Sequence, residues 1–220
     1  HATHLTSADV RLLGGSEVFA CVCPTTEADL ADGIGPFGEL AAAGCRLSVG
    51  SDSQAVIDLF EEARRIEMYS RLATQERGHF TAEALGTALT WDGHASLGWP
   101  DAGEIAPGSL ADLVTVALDS PRLAGSWTAG ERPENGPSPD ASTASERPEG
   151  GLDLAGAGIT REQPGGKPDL AALTAVIFAA TPADVRNVVV GGRDVVVDGR
   201  HVLVDDVPGA LASAIRAALG

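Results

Sequence analysis

Asp52 is the residue whose setting most invites chemistry. An apolar run over residues 45–49 stops at Gly50-Ser51-Asp52-Ser53, and a helical pattern starts near Ala55. A buried strand that ends by presenting one carboxylate is how α/β barrels place reacting groups at the C-terminal rim of the sheet. The plain alternative is capping, because Ser51, Asp52 and Ser53 are all good N-caps for a helix near Ala55. His1, the residue at which the chain opens, is the second candidate. Its plain alternative is an ordinary exposed terminal residue.

Other polar residues divide in the same way. Cys21 and Cys23 share one face of a strand; they could hold a metal, but buried thiols in an apolar strand are far commoner. Thr25, Thr26 and Glu27 either line a substrate pocket or open a polar helix. Arg64 and Arg65 could meet a dicarboxylate substrate, though a solvated helix face explains them more simply. His4 reads as a loop or core residue, and His79, His94 and His201 have no partner at a telling spacing.

The elements that must position these residues follow from periodicity and punctuation. Thr6 or Ser7 caps a short helix that Gly14-Gly15 stop, with Asp9 in its first turn. Residues 18–23 form a continuous apolar run closed by Pro24, which suits a buried parallel strand. A short helix is predicted over 37–43. Over 55–75, Val56, Leu59, Phe60, Ala63, Ile66, Tyr69 and Leu72 recur at helical spacing, while Glu61, Glu62, Arg64, Arg65 and Glu67 fall on the other face. Thr81 caps a further helix. With residues 1–5 as the end of an extended segment, residues 1–95 alternate strand and helix three times, the grammar of parallel βα units.

The grammar then changes. Residues 112–119 read as a strand. Residues 124–169 are rich in Gly, Pro, Ser and acidic side chains, lack large apolar ones, and predict a disordered insertion. Residues 96–123 and 170–206 predict a small β-rich module, with a hairpin around Gly191-Gly192, and 207–220 a closing helix. A complete (β/α)8 barrel needs about 250 residues, so residues 1–95 would supply only its last units.

Composition narrows the function. The chain has 220 residues, 44% of them apolar, enough for a real core. A formal net charge of −16 argues against nucleic acid and anionic membranes as partners. No apolar run approaches the roughly 18 residues of a membrane span, and no signal peptide is visible. Three cysteines, an odd and small number, predict reduced thiols and a cytoplasmic setting. The absence of Met at position 1 makes the sequence read as a fragment.

Three stretches carry a resemblance: His1-Ala2-Thr3-His4-Leu5-Thr6, the run from Cys23-Pro24-Thr25-Thr26-Glu27 to Gly33-Ile34, and Gly50-Ser51-Asp52-Ser53. Together they resemble the amidohydrolase superfamily, and within it the formimidoylglutamate deiminases. Gly108-Ser109-Leu110-Ala111-Asp112-Leu113-Val114 and the segment around Gly191-Gly192 are similar to that superfamily's β-sandwich. The resemblance implies the C-terminal part of a metal-dependent (β/α)8 barrel plus a small β-sandwich. It implies hydrolytic deimination of N-formimino-L-glutamate to N-formyl-L-glutamate and ammonia, with one zinc ion per site and a homodimer when intact. A deaminase or chlorohydrolase acting on a heterocycle, or a non-catalytic interaction module, are the alternatives. Asp52 matches the aspartate after the eighth strand, a zinc ligand and proton acceptor. His1 matches the histidine after the sixth, which orients the attacking water. The family's His-x-His pair, its fifth-strand histidine and its general-acid glutamate have no match here, so the chain alone is expected to be inactive.

Overall fold

A computed structural model of the protein describes residues 1–53, 56–125 and 170–220. The helix start near Ala55 and all but the first two residues of the 124–169 insertion lie outside them.

The first helix forms as its cap residues dictate. The Thr6 hydroxyl accepts from the Asp9 amide, and the Asp9 carboxylate accepts from the Thr6 amide at 2.8 Å. This reciprocal capping box satisfies two otherwise unpaired donors and starts helix α1 (Ser7–Gly14). Residues 1–5 form no strand; a turn at Thr3-His4 and a left-handed Ala2 (φ 58°) break the predicted extended segment. Gly14 ends α1 against Ala43, where a Cβ on Gly14 would lie 2.3 Å from the Ala43 carbonyl oxygen. Gly14→Ala is therefore expected to destabilise the chain by about 1–3 kcal/mol through overpacking, although Ala is the better helix former. Urea unfolding measures this, and an unchanged or higher midpoint would show that the contact yields.

Strands β1 (Phe19–Val22) and β2 (Arg46–Val49) pair in parallel, with Phe19 opposite Arg46 and Val22 opposite Val49. Helices α2 (Pro24–Asp29) and α3 (Phe37–Ala42) connect them. Alternation along β1 buries Ala20 and Val22 against Phe37, Leu40, Ile66 and Leu85 in the main apolar core.

Helix α4 (Leu59–Thr74) starts later than its apolar spacing suggests, because Asp58 is the N-cap and accepts from the Glu61 amide at 3.1 Å. Its supposed solvent face is also different. Glu62 and Glu67 are fully buried, while Leu59 and Leu72 are exposed. Glu62 accepts from the backbone amide and hydroxyl of Thr25, tying α2 to α4. Glu67 accepts from the amides of Gly78 (2.9 Å) and Phe80 (2.8 Å) and from Arg71 (2.6 Å). These partners satisfy both buried carboxylates.

The Thr81 hydroxyl caps α5 (Ala82–Leu89) as expected. Helix α6 (Trp91–Ser96) has no clear sequence signal and docks on β2 through Arg46. The Arg46 guanidinium lies over the rings of Phe19 and Trp91, 4.3 and 4.1 Å from their centroids, and bonds Asp92.

An antiparallel sheet follows, in the order β3 (Leu113–Val116), β4 (Val185–Val190), β5 (Arg193–Val197) and β6 (Arg200–His201). Gly191 and Gly192 both take positive φ in the β4–β5 turn. Residues 170–179 do not join this sheet. They form α7 (Leu170–Ala179), which packs on α4 and α5 and sends Leu173 and Ile177 into the main core. Helix α8 (Val207–Leu219), capped by Asp206, ends the chain. Among the described residues no helix is long and apolar enough to cross a membrane.

Candidate active site

The parallel strands deliver the site from their C-terminal ends. The Gly50 amide donates to the Val22 carbonyl at 3.1 Å and extends the pairing by one residue. The chain then turns, with Asp52 at φ 42°, a left-handed conformation that Asp tolerates better than most residues. Thr26, fully buried on α2, pins this turn: its hydroxyl donates to the Ser51 carbonyl at 3.2 Å and lies 3.3 Å from the Ser53 hydroxyl. Asp52 is no helix cap, since Asp58 fills that role.

His1 lies across from Asp52. Its Nε2 is 3.3 Å from Asp52 Oδ2, its Nδ1 is 3.3 Å from Glu27 Oε1, and its backbone nitrogen donates to the Cys21 carbonyl at 2.9 Å. The structure thus brings together the two residues singled out by the sequence and adds Glu27 behind the ring.

Glu27 is 1% exposed, and its Oε1 also accepts from the Cys23 amide at 2.8 Å. Burial pushes its carboxyl pKa above the usual carboxylate value, the Cys23 amide opposes that shift, and Asp32 and Asp52 add to it. Its second oxygen, Oε2, is buried without a hydrogen-bond partner. Burial, with Cys21, Asp52 and Glu27 nearby, pushes the Cys23 thiol up to about 12, so in the metal-free chain it stays protonated near neutrality and is no thiolate nucleophile. Cys21, expected to be a buried thiol, is exposed.

The remaining candidates lie in other settings. His4 is exposed. His79 bonds the Thr74 hydroxyl, His94 reaches the Thr90 carbonyl, and His201 accepts from the Leu203 amide. Arg64 reaches the carbonyls of Phe60 and Ala180, and Arg65 pairs with Glu61 and Tyr69.

A carboxylate oxygen is a normal zinc donor, and a catalytic zinc takes three protein ligands. Among the described residues no group of three or more His, Cys, Asp or Glu side chains could hold a metal. Asp52 suits the ion, but the residues present do not complete a site for it.

Fold and site together define an α/β protein with a carboxylate–imidazole pair at the C-terminal ends of its parallel strands. The model of the amidohydrolase family matches residues 1–195, and the chain belongs to that family. It is 36% identical over 131 residues to formimidoylglutamate deiminase of Pseudomonas aeruginosa, covering 56% of this chain and 29% of that protein. It is 33% identical over 126 residues to 5-methylthioadenosine/S-adenosylhomocysteine deaminase of Natronomonas pharaonis, with the same coverage. The fold also matches an adenosine deaminase from Xanthomonas campestris with bound zinc, at a TM-score of 0.71 and 23% identity over 98% of this chain and 40% of that one. The chain therefore spans about 29% of the length of these curated relatives.

Proposed function

We propose that this chain contributes to a zinc-dependent hydrolytic deaminase, and that its substrate is the linear amidine N-formimino-L-glutamate. The observation that carries the reading is the 3.3 Å approach of His1 Nε2 to Asp52 Oδ2 beyond the ends of β1 and β2. In this reading β1 and β2 belong to a (β/α)8 barrel and β3–β6 to a β-sandwich. Asp52 is a zinc ligand, and the other ligands come from outside these 220 residues. Zinc bound there would lower the pKa of a water toward about 7.

The chain's own residues then have separate tasks. His1 holds the attacking water by its ring nitrogen, Asp52 takes the water's proton, and Thr26 keeps the Asp52 turn in place. Water oxygen bonds to the amidine carbon as its first proton passes through Asp52 to the terminal nitrogen; the C–N bond to that nitrogen then breaks as the carbonyl forms, and the second proton of the water, passed on by Asp52 in the same way, leaves with the nitrogen as ammonia. The same steps would serve an aminopurine, and the similarity to the 5-methylthioadenosine/S-adenosylhomocysteine deaminase makes that the second reading.

Assaying ammonia release by the complete enzyme separates the two. Release from N-formimino-L-glutamate but not from 5′-methylthioadenosine supports the linear amidine, and the reverse assigns a heterocycle. The 220-residue chain by itself is expected to retain well under one zinc per molecule after dialysis and to be inactive on both. Stoichiometric zinc with activity in the isolated chain would overturn the claim that ligands come from elsewhere.

A further inference from the structure

Glu27 does more than capping requires. Taking its charge out of water is unfavourable unless partners compensate, and its carboxylate is 1% exposed. At the start of α2 Glu27 supplies one bond, from the Cys23 amide to Oε1, and a neutral acceptor would serve that amide equally well. The other group at Oε1 is the His1 ring, through Nδ1. The imidazole therefore spans two carboxylates: Glu27, fixed by burial and a backbone bond, and Asp52, on a half-exposed turn.

We propose that Glu27 is the positioning residue of this site: it accepts the Nδ1 proton of His1, fixes the neutral ring in that tautomer, and leaves Nε2 bare toward Asp52. This rests on the reading of His1 as the residue that holds the attacking water. Which ring nitrogen carries the proton is set by the hydrogen bond the other one makes, and here the fixed acceptor is on the Nδ1 side. A bare Nε2 can only accept, so it takes an O–H of the water and directs the water's oxygen toward the substrate. Thr26, next to Glu27, holds the Asp52 turn. One turn of α2 thereby sets both sides of the gap between imidazole and carboxylate.

The test is nitrogen-15 NMR of the histidine rings in the complete enzyme freed of zinc, at a pH where the ring is neutral, with His1 assigned by its loss in His1→Asn. The expected wild-type spectrum shows a protonated Nδ1 and a bare Nε2. In Glu27→Ala the two ring signals are expected to exchange character, as Nε2 becomes the protonated nitrogen. Glu27→Gln is expected to restore the wild-type pattern, because its amide oxygen still accepts. A wild-type ring protonated on Nε2 overturns the proposal, whether or not the variants fold. A folded Glu27→Ala with an unchanged His1 pattern also overturns it and reduces Glu27 to a cap. Neither zinc nor substrate is present in this measurement, so inactivity of the complete enzyme would sink the deaminase reading and leave this result standing.

Discussion

Asp52→Asn is expected to lower kcat for ammonia release by the complete enzyme about 10²–10⁴-fold, the range a positioned proton acceptor contributes. The substitution keeps the side chain's shape and removes its basicity. Asn also tolerates the left-handed backbone at φ 42°, so the turn survives. The side chain is 41% exposed and caps no helix. Stability of the chain should therefore stay within about 0.5 kcal/mol of wild type in urea unfolding. Asp52→Ala makes an instructive contrast, because Ala at a left-handed position costs roughly 1–2 kcal/mol and mixes a folding defect with the chemical one. Asn activity within about threefold of wild type would remove Asp52 from the chemistry, given the size of effect a true acceptor shows. A large loss of stability with Asn would restore the structural explanation of the residue.

Local signals were legible in the sequence, and partnerships across the fold were not. The Thr6–Asp9 box, the Thr81 cap and the β1 and β2 runs are written in adjacent residues, and each formed where its pattern placed it. Asp52 could be singled out because a strand end and a carboxylate lie side by side in sequence. The burial of Glu62 could not, because its partner Thr25 is 37 residues away. Helical spacing alone put Glu62 and Glu67 on the wet side of α4. Glu27 is 26 residues from His1, so its second role had no local signature beyond a polar helix start. The misplacement of 170–179 has another cause. Its sequence, LAALTAVIFA, is apolar on every side, so it lacks the one-sided stripe that marks a surface helix, and short apolar runs do not distinguish a buried helix from strands.

Glu67→Ala is expected to cost about 3–5 kcal/mol, the range for removing one partner from a buried charged cluster. It strands the buried Phe80 amide and leaves Arg71 without its carboxylate. The pH dependence makes this prediction sharper. Burial alone would raise the Glu67 pKa, but Arg71 and the amides of Gly78 and Phe80 outweigh it and hold the group below the usual 4.5. Asp184 behaves similarly: burial pushes up, and Arg122 with the Thr181 amide brings it down from 3.8 to about 2. Both groups bind protons more weakly folded than unfolded. Their stabilisation is present above the ordinary carboxylate value and is lost as pH falls through the folded one. Glu27 and Glu62 have the opposite sign. Burial raises both above 4.5, so they bind protons more tightly in the folded chain and add stability as pH falls toward that value. The wild-type urea midpoint should therefore hold level or rise on acidification from about pH 7 toward the ordinary carboxylate range, then drop below it. Glu67→Gln removes one of the groups responsible for the drop, so its midpoint should start lower and decline less steeply below 4.5. Parallel wild-type and Glu67→Gln profiles through that range would mean that Glu67 is not an acid-sensitive support of the fold.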